Sequence, residues 1–392
     1  MSGAPFSLYI HVPFCSQKCP YCDFNTYAVS RIPETEYVEA LVSELKLFGS
    51  DGRFAGRSLR SVFFGGGTPS LVSPAGIGQV LEQAARHFPV LAGAEVTMEA
   101  NPAQPSAERY AAYRAAGVNR LSFGVQSFDA ERLSLLGRDH SPDDARRAVA
   151  LARESGIENV SIDIIFGVPG QEISGLESDL QSAVELPISH ISAYALSIEP
   201  GTPFFQRQER GLLALPPDER VAEMLSLIPK KLAASGFARY EISNYAKPGK
   251  ESIHNSAYWS GGDYLGIGAG AHSFAARHDG ATRVSAERWS NFAAPAAYMG
   301  RAASSPVSWS ESLDSKALFF EFFYLGLRRT TGVSLEDFSA LFGQPVPQNM
   351  ATTLDELEAE GFIEKRTASL TLTERGIALS DSVFERIAGT AE

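Results

Sequence analysis

Cysteine is nearly absent from this chain: there are three in 392 residues, and all of them, Cys15, Cys19 and Cys22, fall within one short segment. An odd number, with neighbours only three or four residues apart, leaves no room for a disulfide framework and points to a reducing compartment. Long apolar runs are also missing. No stretch of about eighteen apolar residues occurs, and the N-terminus lacks a basic region followed by an apolar one, so neither a membrane span nor a secretory signal is expected. Positive charge is in deficit: 34 Lys and Arg stand against 46 Asp and Glu, a formal net charge of -12. Such a balance disfavours sequence-independent contact with a phosphate backbone. A cytoplasmic protein with no nucleic-acid partner is the expectation.

What is present is concentrated. The cysteines are spaced C-x3-C-x2-C directly after the strand-like run Ser7 to Val12. Three thiolates on one loop can hold a metal centre and leave one coordination position for a non-protein ligand. A closed structural zinc site needs a fourth ligand, and none follows at finger-like spacing. His11 lies four residues before Cys15, but it sits in the alternating stretch Leu8 to Val12, where a polar strand residue is equally expected. The spacing favours an iron-sulfur cluster over zinc or an incidental grouping.

To about residue 215, short β-rich runs alternate with amphipathic helical stretches, the pattern of a parallel sheet with helical crossovers. The strand candidates are Ser7 to Val12, Ser61 to Phe64, Glu95 to Glu99, Arg120 to Val125, Asn159 to Ile165 and His190 to Ile198. A helix from Glu34 to Phe48 is expected to stop at Gly49, and Ser73-Pro74 and Ser141-Pro142 read as N-caps followed by proline. Each strand runs into a polar or glycine-rich segment, which gathers the candidate chemistry at the C-terminal ends, as in parallel α/β barrels. Beyond Pro216-Pro217 a helix from Asp218 to Ala234 precedes an aromatic, glycine-rich stretch. Residues 293–306 read as a linker, and helices near Ser315 to Arg329 and Met350 to Glu360 with a hairpin around Ile363 to Thr373 suggest a winged-helix-like unit. Its acidic helices favour a packing or lid role over DNA binding.

Tyr9 through Phe24 around the cysteines, then Gly65-Gly66-Gly67-Thr68-Pro69, Glu99-Ala100-Asn101-Pro102, Gly124-Val125-Gln126-Ser127 and Ile162 to Gln171, in this order, resemble radical S-adenosylmethionine (SAM) enzymes. Within these, the chain is similar to the oxygen-independent coproporphyrinogen III oxidase-like family, which includes a haem-chaperone subgroup. The resemblance implies a partial (β/α)6 barrel over residues 1–215 with a 4Fe-4S cluster and SAM, a family-specific extension over 216–300, and a C-terminal winged-helix-like domain over 307–392. It implies that Cys15, Cys19 and Cys22 are the cluster ligands, with the free iron chelated by SAM. Tyr9, Tyr21, Gly66, Gly67, Thr68, Glu99, Gln126, Arg138 and Asp163 are the expected SAM contacts. Asp163 stands among Ile162, Ile164 and Ile165, where a buried carboxylate without a partner is costly. Aromatic Phe14, Tyr21 and Phe24 are expected to keep water from the cluster.

Two departures separate the subgroups. The oxidase pattern continues to a fourth cysteine where this chain has Phe24, and it carries a longer segment before its tyrosine, whereas eight residues precede Tyr9 here. In the other direction, His254-Asn255-Ser256-Ala257-Tyr258-Trp259 matches the H-N-x-x-Y-W segment of the haem-chaperone subgroup. Neutral imidazole is a good axial ligand, which makes His254 a candidate for haem iron and His272 a second one. There is no C-x-x-C-H motif for covalent haem. The expected partners are haem, an acceptor haemoprotein, either free or membrane-associated, and an electron donor, with association of two chains as a further option. The alternatives are a coproporphyrinogen-oxidising enzyme, or a radical SAM enzyme on another substrate such as RNA or a peptide.

Overall fold

The computed structural model describes residues 3–366 and 369–390. Twelve strands among these residues form one continuous sheet: β1 (Phe6–Val12), β2 (Leu59–Gly66), β3 (Val90–Ala100), β4 (Arg120–Gln126), β5 (Asn159–Phe166), β6 (His190–Ala195), β7 (Ala238–Arg239), β8 (Asn244–Ala246), β9 (Tyr264–Ile267), β10 (His272–Asp279), β11 (Thr282–Asn291) and β12 (Val307–Leu313). Strands β1 to β6 lie side by side in chain order, and each pairs in parallel with the next. Sequential parallel pairing requires a crossover at every step, and right-handed crossovers put the connecting segments on one side and curl the sheet into a partial barrel. The strands are buried over most of their length, which is why they read as near-continuous apolar runs.

Five helices cover the outer face of this half-barrel: α1 (Glu34–Gly49), α2 (Pro74–His87), α3 (Ala107–Ala116), α4 (Pro142–Glu154) and α5 (Ile173–Val184). Both Ser-Pro starts behave as read. Ser73 Oγ accepts from Gly76 N, and Ser141 and Asp144 form a reciprocal capping box. As expected, α1 ends at Gly49. It is the last helical residue, and a Cβ there would stand 2.5 Å from His87 Nδ1, so the glycine permits the close approach of α1 to α2. The sixth strand ends at Ala195, short of Ile198, because Leu196 and Ile198 turn away to pack with Leu136, Val168 and Phe204.

The extension builds onto both edges of the barrel sheet. After α6 (Asp218–Ala234), β8 pairs antiparallel with β6, while β9 returns to pair in parallel with β1 on the opposite edge. Helix α7 (Ile253–Trp259) connects the two, and β10 to β12 continue as an antiparallel meander. The stretch read as a linker is packed structure instead. It contains the helix Pro295–Met299, Tyr298 and Ala302 are buried in the main core, and Tyr298 Oη donates to Glu44 Oε2 at 2.5 Å. Small, polar composition concealed a segment that anchors itself on the core through Tyr298, Met299 and Ala302.

The C-terminal unit comprises α8 (Ser315–Gly326), α9 (Leu335–Phe342), α10 (Gln348–Ala359), a hairpin of Ile363–Lys365 with Leu370–Leu372, to which Val333 adds an isolated bridge, and the helices α11 (Glu374–Ala378) and α12 (Ser380–Ala388). Residues 367 and 368 of the expected hairpin lie outside the described residues. Phe319, Phe323, Phe338 and Phe342 share one core with Phe274, Ala286 and Leu313 of the meander. The unit is thus fused to the sheet, and none of its described residues lines the cavity at the cysteine loop, which supports packing and leaves a lid over that cavity without basis.

Candidate functional site

The C-terminal ends of β1 to β6 open into a cavity of about 530 Å³. The cysteine loop forms part of its wall, and its shape is set by hydrogen bonds to its own ends and to the segment after β4. Phe14–Cys15 pairs with Tyr27–Ala28, Cys22 N donates to Cys19 O at 3.1 Å, and Lys18 Nζ reaches the carbonyls of Phe24 and Thr26. Gln17 Nε2 donates to Gly137 O at 2.7 Å and Ser16 Oγ to Asp139 Oδ2 at 3.2 Å.

Each thiol has a different polar neighbour. Thr68 Oγ1 donates to Cys15 Sγ at 3.5 Å, Arg138 Nη1 donates to Cys19 Sγ at 3.5 Å, and Cys22 Sγ lies 4.0 Å from Thr26 Oγ1. All three are free and half-buried. Burial raises the Cys15 and Cys22 thiols, a cost that ligation of the thiolates to iron removes. Among the described residues no three His, Cys, Asp or Glu side chains are grouped to hold a single ion. Thiols that stand apart, each with its own partner, suit a multi-iron cluster whose irons are separate. His11, the one nearby alternative ligand, is occupied: Tyr9 Oη lies 3.0 Å from its Nδ1 and Asn25 O 3.0 Å from its Nε2.

The glycine loop after β2 is dictated by crowding. Gly66 has φ +110°, and a Cβ there would stand 2.4 Å from the His11 ring; at Gly67 it would stand 2.6 Å from Phe14 O. The amides of this loop are engaged within the protein: Gly66 N donates to Glu99 Oε2 at 3.1 Å, Gly67 N to Val12 O and Thr68 N to Phe14 O, both at 2.8 Å.

Opposite charges face the cavity unevenly. Burial and the neighbouring Asp163 push Glu99 up to about 8, and burial also raises Asp163, whose Oδ1 accepts from Ser122 Oγ at 3.4 Å. Among the described residues neither acid forms an ion pair. Arg138 donates to Gly124 O at 2.9 Å and to Asn101 Oδ1 at 3.4 Å, and its buried Nε has no partner. Gln126 adopts φ +66° at an irregularity in the β4–β5 register, a strained conformation of the kind concentrated at functional sites.

Of the residues singled out from sequence, the three cysteines, Tyr21, Gly66, Gly67, Thr68, Glu99, Gln126, Arg138 and Asp163 all line this cavity. Tyr9 does not. Its ring stacks on Phe63 and its hydroxyl is held by His11, one layer behind the wall. Phe14 turns into the core against Tyr37, while Phe24 is 61% exposed, so of the three expected aromatic shields Tyr21 alone is both at the cavity and partly buried. Asn101, Arg120, His190, Ser192 and Tyr194 also line the cavity. His190 and Ser192 alternate with Ile191 along β6, and that period-two signal was available; for Arg120, at the start of β4, none was.

His254 lies away from the cavity. It is buried on α7, with Nδ1 3.0 Å from Ser61 Oγ and Nε2 2.9 Å from Tyr258 Oη, and its ring stacks on Phe63. Burial, with Arg120 nearby, lowers its pKa to about 3. Both ring nitrogens of His254 are therefore engaged within the fold, and the residue does not line the cavity at the cysteine loop. His272 is exposed at the start of β10.

Comparison with known proteins agrees with this geometry. Residues 9–183 match the radical SAM superfamily model, and residues 313–379 match the HemN C-terminal domain model. The heme chaperone HemW of Bacillus subtilis is 36% identical over 98% of this chain and 99% of its own length, and that of Escherichia coli is 38% identical over 97% of each. The mitochondrial radical S-adenosyl methionine domain-containing protein 1 of Mus musculus is 36% identical over 96% of this chain and 86% of its own. Among solved structures, coproporphyrinogen III oxidase (HemN) from Escherichia coli superposes with a TM-score of 0.79 at 22% identity, covering 98% of this chain and 90% of that one, which shows a shared fold. With cysteine loop, glycine turn and acidic strand ends in one half-barrel and full-length relatives above 30% identity, the chain belongs to the HemW family of the radical SAM superfamily.

Proposed function

We propose that this chain is a haem chaperone: it carries a 4Fe-4S cluster on Cys15, Cys19 and Cys22, binds SAM beside it, takes up haem and passes it to an acceptor haemoprotein. The observation that carries the reading is the match of proteins named heme chaperones over essentially the whole chain, C-terminal unit included. The cavity fits the cofactors. Its buried acids, Glu99 and Asp163, form no ion pair among the described residues, and the Nε of Arg138 is unsatisfied. A ligand that brings an ammonium, ribose hydroxyls and a carboxylate meets all three needs.

When bound, the cluster and SAM supply one-electron reductive cleavage of a carbon–sulfur bond. The protein's part is to bind, orient and exclude water. Thr68 and Arg138 donate to the sulfurs of Cys15 and Cys19, which stabilises thiolate and tunes the cluster potential. Because the amides of Gly66, Gly67 and Thr68 are spent on the fold, the carbonyls of this loop are its means of accepting from an amino group. Glu99 and Asp163 accept from the remaining donors. Tyr21 and Ile165 narrow the access of water.

Phe24 at the place of a fourth cysteine, exposed at the cavity mouth, supports a chaperone over a porphyrinogen-oxidising enzyme. No helix among the described residues is long and apolar enough to cross a membrane. A cytoplasmic setting, an electron donor, a free or membrane-associated acceptor and pairing of two chains complete the reading. Anaerobic reconstitution followed by haem titration in the Soret band and transfer to an apo-haemoprotein tests it. Haem uptake and transfer are expected. SAM- and reductant-dependent conversion of coproporphyrinogen III without haem uptake would establish the enzyme instead.

A further inference from the structure

A second cavity, of about 420 Å³, lies between the meander and the C-terminal unit and shares no lining residue with the first. Its walls are aromatic: Trp259, Tyr264 and Phe274 come from the extension, and Phe320, Phe322 and Tyr324 from α8. Into this apolar setting the chain places Arg283, Arg288 and Arg329 against a single lining acid, Glu321. Arg288 is neutralised by Glu321 and by Glu311 at 3.0 Å. Arg283 and Arg329 form no ion pair among the described residues. They donate to the carbonyls of Gly261 and Gly332, and burial lowers the pKa of both, only partly offset by Asp263 and Glu321 near Arg283 and by Asp337 near Arg329. The Nε of Arg283 and the indole N–H of Trp259 are buried without partners.

Two partly buried guanidinium groups without a direct acid partner in an aromatic cleft favour a ligand that brings negative charge. The complement is a flat aromatic molecule bearing two carboxylates. Resting on the reading of this chain as a haem carrier, we propose that this cleft is the haem site, with the macrocycle against the partly exposed rings of Trp259, Tyr264 and Tyr324 and its two propionates on Arg283 and Arg329. Among the described residues, no histidine, cysteine or methionine lines the cleft. Recognition therefore falls on the ring and its carboxylates, and the iron stays available to an acceptor.

The test uses the full-length, anaerobically reconstituted protein, titrated with haem, with iron-free protoporphyrin IX and with protoporphyrin IX dimethyl ester. Haem and protoporphyrin IX should bind with affinities within a few-fold of each other. The ester should bind at least about tenfold more weakly, since it loses two charge-assisted contacts. Arg283→Gln with Arg329→Gln should weaken both acids by a similar factor while the cluster absorbance is unchanged. His254→Ala should leave haem affinity within a few-fold. The esterified probe needs no variant, so the result does not hang on the folding of a mutant. Haem binding that excludes protoporphyrin IX, or an ester that binds as well as the acid, overturns the site while haem carriage stands. If the unmodified protein takes up no haem, the chaperone reading falls and the site with it.

Discussion

Single side chains divide sharply into those that serve the cavity and those that hold the barrel. Replacing Cys15, Cys19 or Cys22 by Ser should abolish the charge-transfer absorbance of the reconstituted cluster, whereas His254→Ala should leave it intact. The latter change has a different cost. It strands Tyr258 Oη in the interior and leaves Ser61 Oγ with Ser7 Oγ alone, and a loss of about 2 kcal/mol in denaturant unfolding is expected. Glu99 gives a pH signature. Its carboxyl keeps a proton in the folded apo-protein up to about 8 but loses it near 4.5 when unfolded, so stability falls as pH rises through that window. Glu99→Gln removes this dependence: the melting temperature of wild-type apo-protein should drop relative to the variant between pH 5 and pH 8, and SAM binding should be lost in the variant.

At the level of elements, a buried acid reinforces the sheet pairing that joins the barrel to its extension. Glu44 on α1 accepts from Gly268 N at 2.9 Å, from Asn291 Nδ2 at 2.7 Å and from Tyr298 Oη, and it thereby ties the first crossover helix to the ends of β9 and β11 and to the segment read as a linker. Burial raises it to about 7. Glu44→Ala leaves these donors unsatisfied in the core and should destabilise the protein by about 3 kcal/mol or more, read in urea. Glu44→Gln, which keeps an acceptor, should recover part of that loss. The glycine turn is the second such joint. Gly66→Ala requires a side chain at φ +110° and against the His11 ring, so both unfolding free energy and SAM affinity should fall.

Across the whole molecule, one sheet runs from the extension through the barrel, and the C-terminal unit closes its far end. Removing residues beyond Leu313 would uncover Phe274 and Ala286, which share the core of that unit. The truncated chain is expected to aggregate rather than to survive as an active barrel, and its soluble yield and proteolytic resistance would show this. The sequence by itself determined the three-cysteine loop, the six parallel strands with their crossovers and the residues at the strand ends, because local spacing and period-two or helical patterning encode them directly. It could not show that Tyr9 stands one layer behind the cavity, that His254 is engaged by Ser61 and Tyr258, that Tyr298 and Ala302 of the expected linker are core, or that an aromatic cleft collects arginines from β11 and from just beyond the end of α8. Those outcomes rest on contacts between residues tens to hundreds of positions apart, and only the folded chain decides which polar atoms find partners and which are left for a ligand.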